Sequence, residues 1–206
     1  MVWKKVGILF GSVWNGLFMK DRTLKIKNTD RALFCRLIRP GAVLLTRTVK
    51  DSFLSRIIQW VTCGNWTHVV VYLGKSFGKY RLFHETIEAI SEGVRSQVLD
   101  KYLNGKYQIE AWMRDLSDKE LTVMCEYLYG REGKAKYDYH GLLSPITLFE
   151  QDPDSDYCSE LIFNTYEVTG EKCCLKEVEP KIMVSPNDLR RYFVSSSRWY
   201  MVTFYC

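Results

Sequence analysis

The chain contains few histidines and prolines and no long apolar run. The absence of a long apolar run argues against a membrane-spanning protein. Its 206 residues include three histidines and five prolines. No stretch approaches the ~18 consecutive apolar residues that a membrane-spanning helix needs. The seven cysteines form no CxxC pair, a pattern typical of reduced cytosolic thiols rather than of a disulfide scaffold or a zinc site. The content of 47% hydrophobic residues is enough for a buried core and argues against disorder.

Positive charge is concentrated in the first part of the chain. Residues 1–50 hold eleven Lys or Arg against two Asp, a net of +9, so the remainder carries −4 of the total +5. We predict a basic, aromatic N-terminal arm over residues 1–39 and one domain over residues 40–206. The arm could rest on an anionic membrane surface, pack into the core, or begin with a secretory signal. We expect a cytoplasmic location with peripheral membrane contact, and no nucleic-acid partner because no recognition motif is present.

Hydrophobic periodicity and capping residues predict helices and strands in mixed order, which is typical of an α+β domain. Ser117 and Glu120 predict a capping box at the start of one helix, and Gly130 is expected at its C-cap. The predicted strands are 41–46, 67–74, 79–89, 107–114 and 199–206, and the predicted helices are 51–61, 97–103, 117–130, 157–168 and one beginning at residues 185–186.

The segment DPDSDYCSELIF, residues 152–163, places Cys158 in the first turn of a predicted helix that Asp156 or Ser155 would cap. At this position the unpaired backbone N–H groups and the helix dipole favour a thiolate. The same N–H groups could bind a developing oxyanion. The plainer interpretation is a buried apolar cysteine, since Cys158 shares one helix face with Leu161.

A nucleophilic cysteine needs a base, and the three histidines are the candidates. His68 opens an apolar strand, His84 lies within the next strand, and His140 lies in a connecting segment. A third polar group must orient the imidazole. Glu85 and Glu88 on the adjacent strand are both within reach, and spacing alone does not choose between them because they alternate on opposite faces.

Three segments in a particular order resemble a known family. NWTHVVVYLG, IEAISEGVRSQVLDKYL and DYCSELIFNTYE are similar to the circularly permuted papain-like amidases of the NlpC type, in particular the YiiX-like branch and its poxviral relatives. PGAVLLT, YLYGREGKAKYDY and VSPNDL extend the resemblance over residues 40–194. It implies a permuted papain-like fold with a central, mostly antiparallel sheet packed against helices.

The resemblance also implies roles for individual residues. Cys158 would be the nucleophile, His68 the general base and acid, and Glu88 rather than Glu85 the residue that orients His68. Ser159 would contribute its backbone N–H to the oxyanion hole. The implied activity is a cysteine amidase or peptidase that cleaves an acyl bond through a thioester, with no metal or cofactor. The substrate would be peptide-like or an acyl lipid.

Three alternatives stay open from the sequence. The protein could be a thiol acyltransferase or phospholipase that acts on lipids at a membrane surface. It could be a binding protein with an idle cysteine on the same fold. Finally, His68, Glu88 and Cys158 could bind zinc, with water as the fourth ligand.

Overall fold

A seven-stranded sheet forms the centre of the computed structural model, which describes residues 23–27, 29–49, 56, 59, 64–77, 82–138, 156–170 and 184–205. Its strands follow the order β1-β7-β6-β2-β3-β4-β5. Only the edge pair β1–β7 is parallel, and the other five pairs are antiparallel. The predicted α+β class with a mostly antiparallel sheet is therefore confirmed. The strands are β1 Thr23–Lys27, β2 Ala42–Thr48, β3 His68–Phe77, β4 Leu82–Ile90, β5 Gly93–Val98, β6 Tyr107–Met113 and β7 Tyr200–Tyr205.

Helices cover both faces of this sheet. Within the described ranges they are α1 Arg31–Leu37, α2 Asp118–Arg131, α3 Cys158–Val168 and α4 Pro186–Ser195, with a 3-10 turn at Leu99–Lys101. One core cluster joins α2, α3 and α4 to the first face. A second cluster joins α1 and the 3-10 turn to the opposite face. Two apolar layers explain why the central strands are buried on both sides.

Strand β3 shows how the sequence specifies this sheet. Val69, Val70 and Val71 are all fully buried, and β-branched side chains suit a pleated surface packed on both faces. Each such burial stabilises the fold by about 1.5–3 kcal/mol. Because β3 lies between β2 and β4, it is held rigidly, and its first residue, His68, is held with it.

The starts of α2 and α4 agree with the prediction, and each has a capping box. Ser117 and Glu120 form the expected capping box at α2, and Ser185 and Asp188 form another at α4. The predicted C-cap at Gly130 is wrong, because α2 continues through it to Arg131.

The start of α3 differs from the prediction. The N-cap is Tyr157, which makes no side-chain capping hydrogen bond. Asp156 does not cap the helix because its carboxylate accepts from Arg131 Nε at 2.7 Å, and Ser155 lies outside the described residues. The helix ends, as predicted, just before Gly170, whose φ of 83° is a left-handed conformation.

The segment 97–103 was predicted to be helical, and this is wrong for most of it. Strand β5 extends to Val98, and only the 3-10 turn at residues 99–101 is helical. Strands β4 and β5 form a hairpin that explains the difference. Glu88 pairs with Arg95, and the pairing continues along both strands as far as Val98. Long-range pairing here overrides the local helical pattern.

Two predictions about the first third of the chain lie partly outside the described residues: residues 1–22 of the arm and most of the helix at 51–61. Residues 23–27 and 29–38 are described, and they contribute β1, α1 and the fully buried Phe34 to the domain. The division of the chain at residue 40 stays a prediction. No helix within the described ranges has the length and apolar character needed to cross a membrane.

Candidate active site

The main chain that leads into β3 fixes His68 at one end of the sheet. The Thr67 N–H donates to the Thr46 carbonyl at 3.3 Å. The Trp66 N–H donates to Asn187 Oδ1 at 3.2 Å, and Asn187 Nδ2 donates back to the Trp66 carbonyl at 3.2 Å. A side chain of α4 thus pairs with the main chain as a neighbouring strand would. The main chain before His68 is thus held in place, and the His68 side chain is 24% exposed.

Glu88 is the carboxylate that contacts His68. Its Oε2 lies 2.8 Å from His68 Nε2, and its side chain is completely buried. Glu85, which spacing had left as an alternative, instead accepts from the Tyr129 hydroxyl of α2 at 3.2 Å. The two glutamates are three positions apart on one strand, so their side chains point to opposite faces. Only one of them can therefore reach the imidazole.

Three further side chains converge on the same carboxylate. Lys101 Nζ donates to Glu88 Oε1 at 2.7 Å, and Arg95 donates to that oxygen from Nη2 at 3.2 Å. The Tyr102 hydroxyl donates to Oε2, the oxygen that also faces His68. The Tyr102 and His68 rings are stacked, with their centroids 6.5 Å apart. A buried carboxylate is stable only when it is paired and hydrogen bonded, and these contacts meet that requirement.

Sequence reasoning missed these three residues, although one signal was present. A tight β4–β5 hairpin pairs Glu88 directly with Arg95, and an opposite-charge pair across two strands is stabilising. Lys101 and Tyr102 follow the strand in the 3-10 turn. No local pattern in the sequence directs that turn back toward Glu88.

The contacts determine where the protons reside. Burial alone would lower the pKa of His68, but hydrogen bonds and charges from Cys158 and Glu88 outweigh it and raise the pKa to about 9. Burial opposes ionisation of Glu88, but hydrogen bonds from His68, Lys101 and Tyr102 hold its pKa far below the usual range. Burial and the Glu88 charge raise the pKa of Tyr102. At neutral pH the site therefore holds an imidazolium, a carboxylate and a neutral phenol.

Cys158 lies in the first turn of α3, and its interaction with His68 raises the pKa of that histidine. Because Nε2 of His68 is bound to Glu88, Nδ1 is the ring nitrogen left for the thiol. The Cys158 residue is only 4% exposed. Among the described residues no side chain caps α3, so its first N–H groups stay available to an anion.

Ser159 is in position to contribute one of those N–H groups. Its hydroxyl donates to the Val184 carbonyl at 2.6 Å, and the Val184 N–H donates to the Tyr157 hydroxyl at 2.8 Å. Ser159 is 1% exposed. These bonds attach the first turn of α3 to the segment before α4, so the main chain around Cys158 is rigidly held.

Acidic residues near Cys158 could oppose a thiolate, and the structure shows how their charge is offset. Asp156, fully buried, accepts from Arg131 Nε at 2.7 Å and from Asn164 Nδ2 at 3.3 Å. Burial and the charge of Asp156 raise the pKa of Glu160 to about 7. The backbone N–H of Tyr157 acts in the opposite direction and lowers the pKa of Glu160.

The remaining histidines and thiols have other surroundings. His84 Nδ1 lies 2.6 Å from the Tyr72 hydroxyl, and His140 is outside the described residues. The cysteines in the described ranges are free thiols, and burial raises the pKa of both Cys35 and Cys125. Among the described cysteines, only Cys158 interacts with a histidine, and that histidine is bound in turn to a carboxylate.

Comparison with known proteins assigns the chain to a family. Residues 37–203 match the family described as permuted papain-like amidase enzyme, YaeF/YiiX, C92 family. The chain belongs to the C92 family. This membership supports a cysteine hydrolase in general terms, and the predicted resemblance to YiiX is confirmed. The poxviral part of that resemblance stays a prediction.

A solved structure shares the fold of this C92 member. It is described as metalloprotein yiiX from Escherichia coli O157:H7, with a TM-score of 0.51 and 17% sequence identity. The match covers 80% of this chain and 96% of that chain. At this identity the likeness concerns the fold alone. A search of curated proteins gave no significant match.

The similar structure is described as a metalloprotein. In this chain, the described residues do not fit a metal centre. In the described ranges no group of three or more His, Cys, Asp and Glu side chains is arranged to bind a metal. The zinc alternative of His68, Glu88 and Cys158 fails on the same ground. Each Glu88 oxygen already has two hydrogen-bond partners, Lys101 and Arg95 at Oε1 and Tyr102 and His68 at Oε2, so the four lone pairs of the carboxylate are occupied.

Proposed function

We propose that this C92 member is a cysteine amidase or peptidase that cleaves an acyl bond with Cys158, His68 and Glu88. One observation carries the proposal: buried Glu88 is hydrogen bonded to His68, and His68 in turn interacts with a thiol at a helix N-terminus that raises its pKa. A cysteine that only fills a core needs none of these partners. A nucleophile needs a base, a group that orients the base, and donors for the oxyanion.

Acylation is the first half of the proposed reaction. The Cys158 thiolate attacks the carbonyl carbon of the substrate, and the carbonyl oxygen gains negative charge. The first N–H groups of α3, including that of Ser159, stabilise this oxyanion. The His68 imidazolium gives its proton to the leaving amine or alcohol, the bond to that group breaks, and a thioester on Cys158 remains.

Deacylation reverses the roles of the same groups. Neutral His68 takes a proton from water while the water oxygen attacks the thioester carbonyl. The C–S bond then breaks, the carboxylic acid leaves, and the thiolate and imidazolium are restored. Glu88 fixes the imidazole tautomer in both halves, because its carboxylate can only accept from Nε2–H.

Selective alkylation tests the nucleophile without knowledge of the substrate. Iodoacetamide labelling, followed by mass spectrometry at pH 7, should modify Cys158 faster than Cys35 and Cys125, since burial raises the pKa of both of those thiols. His68→Ala should remove the advantage of Cys158 while the other two rates hold. Labelling of Cys158 no faster than of Cys35 would refute an activated nucleophile.

Turnover provides the second test. Cys158→Ser replaces the thiolate by a much weaker nucleophile of similar size and should abolish hydrolysis of acyl anilides and esters. The melting temperature of this variant should stay close to that of the unchanged protein, since the replaced atom is similar in volume. A variant that keeps full hydrolytic activity would contradict the mechanism.

The acyl substrate, peptide-like or lipid, stays a proposal, and so does membrane contact through the N-terminal arm. Sedimentation with anionic liposomes at low salt tests the arm, since screening weakens surface electrostatics as salt rises. Binding that is lost on deletion of residues 1–22 would favour an acyl lipid. No binding would favour a peptide-like substrate in solution.

A further inference from the structure

A pocket opens at the end of the sheet where His68 begins β3. Its volume is about 420 Å³, which lies in the range of small-molecule sites. Its lining includes Trp66, two residues before His68, and Asn187, which binds the Trp66 main chain. Arg47 lines it as well and directly follows Thr46, the residue paired with His68 across β2 and β3. The pocket thus lies at the end of the sheet where β3 begins, on the face that α4 covers and against which α3, with Cys158 at its start, also packs.

Two guanidinium groups line this pocket, and only one of them is neutralised. Arg190 makes two hydrogen bonds to Glu110, Nε to Oε2 at 2.7 Å and Nη2 to Oε1 at 3.0 Å. The Trp112 indole N–H also donates to Glu110, at 3.1 Å. Arg47 instead donates from Nε to the uncharged Gln108 Oε1 at 2.6 Å. Since Arg47 has no acidic partner in the described part of the chain, the pocket keeps one positive charge.

We propose that this pocket binds an anionic group of the substrate, a carboxylate or a phosphate, through Arg47, while the scissile acyl bond lies at Cys158. This inference rests on the proposed function. Gln108 restrains the Nε side of the guanidinium and leaves its terminal nitrogens for the ligand. Such a fork matches two oxygens of a carboxylate or phosphate. A glutamate at position 108 would have held the same side chain but neutralised its charge.

The pocket is connected to the nucleophile through the main chain. Asn187 lies three residues after Val184, and the Val184 carbonyl accepts from the Ser159 hydroxyl beside Cys158. The hydrogen bonds of Asn187 and Ser159 therefore tie the pocket wall to both halves of the candidate site. A substrate anchored at Arg47 would have its acyl group held at a fixed distance from the thiol.

Three alkylating probes of similar length test the inference on the full chain. N-iodoacetyl-β-alanine carries a carboxylate, its amide is neutral, and iodoacetyl phosphoethanolamine carries a phosphate. In each reaction the Cys158 thiolate displaces iodide and forms a thioether. The anionic probes should react on the order of tenfold faster than the amide, because a fixed opposite charge raises local concentration. The faster of the two anionic probes identifies the group that the pocket prefers.

Variants separate the local charge from the overall charge. Arg47→Gln should bring the ratio of anionic to neutral rates close to one, and Arg47→Lys should keep part of it. Arg39→Gln is the matched control, because Arg39 precedes the opposite end of β2 and pairs with Asp115 on the surface. It removes the same charge far from the pocket and should leave the ratio as it was.

Direct binding distinguishes failure of this inference from failure of the proposed function. In Cys158→Ala protein, NMR signals of the Arg47 side chain should shift when inorganic phosphate or N-acetyl-β-alanine is added. Equal rates for all three probes, with Cys158 still faster than Cys35, would overturn the anion site and leave the nucleophile standing. Slow labelling of Cys158 would instead refute the proposed function. The Arg47 titration alone would then decide whether the pocket binds anions, and no shift would overturn it.

Discussion

Two histidines on neighbouring strands have a hydrogen-bonding partner, yet their protons behave in opposite ways. His68 on β3 faces the buried carboxylate of Glu88 at 2.8 Å, and its pKa rises to about 9. His84 on β4 faces the Tyr72 hydroxyl at 2.6 Å, and burial, with help from Lys75, lowers its pKa. The comparison shows that burial alone does not determine the protonation state: at His68 hydrogen bonds and charges from Cys158 and Glu88 outweigh it, whereas at His84 burial and Lys75 act in the same direction.

Replacement of each histidine in turn should give the largest difference in hydrolysis rate between the two sites. His68→Ala removes the general base and should lower hydrolysis about 10²–10⁴-fold. His84→Ala should change hydrolysis less than about twofold, since His84 does not contact the nucleophile. Steady-state rates on an acyl anilide measure both, with circular dichroism to check folding. Similar losses in the two variants would mean that His68 acts structurally.

The raised pKa of His68 should also appear in the pH dependence of the free energy of unfolding. The folded-state pKa of His68 is raised from 6.5 to about 9. Its contribution is therefore fully present below pH 6.5 and is lost as the pH rises to 9. This contribution amounts to at most about 3 kcal/mol. Urea unfolding at pH 6 and pH 9.5 should show a gap between the unchanged protein and His68→Gln that narrows with pH. A gap of constant size would contradict the raised pKa.

Replacement of the two glutamates of β4, Glu88 and Glu85, gives a second comparison, with a smaller expected effect on the hydrolysis rate. Glu88→Gln keeps the shape but removes the charge, and it should lower hydrolysis about 30-fold. NMR titration of the ring should show the His68 pKa moving down from about 9, because the opposing charge is gone. Glu85→Gln, whose partner is Tyr129 of α2, should leave both readouts unchanged. A His68 titration that is identical in all three proteins would exclude Glu88 as the orienting group.

The two tyrosines that donate to these glutamates provide the finest test. Tyr102→Phe removes one hydrogen bond to Glu88 but keeps the ring stacked on His68, so it should cost about three- to tenfold in rate. Tyr129→Phe removes the equivalent bond to Glu85 and should have no effect on rate. If Tyr129→Phe slows hydrolysis as much as Tyr102→Phe does, the effect is general destabilisation. Melting temperatures of both variants check this point.

Much of the fold could be predicted from local patterns, and the failures have physical causes. The β3 strand and the α2 capping box depend on β-branched side chains and on residues close in sequence, so both predictions were confirmed. Residues 97–103 were predicted as a helix because their local pattern is helical. Pairing with β4 changed the outcome. Tyr157 replaced Asp156 as N-cap because Arg131, 25 positions away, binds that carboxylate.

The candidate site shows the same division between local and long-range information. Cys158 at the start of a helix and His68 at the start of a strand could be identified from nearby residues. The choice of Glu88 over Glu85 could not be made from spacing, since it depends on which strand face meets the imidazole. The β-bulge between Tyr72 and Gly74 shifts the register of β3 against β4, and a one-residue shift exchanges the faces.

The sequence by itself determined the strand and helix types, the order of the motifs and the helical position of Cys158, because neighbouring residues set backbone preference and capping. Only the tertiary structure decided which groups meet. It brings Lys101 and Tyr102 onto Glu88, turns Asn187 toward the main chain before His68, and leaves Arg47 beside an uncharged partner. These contacts join segments distant in sequence, and the free energy that selects them comes from burial and charge pairing across the whole fold.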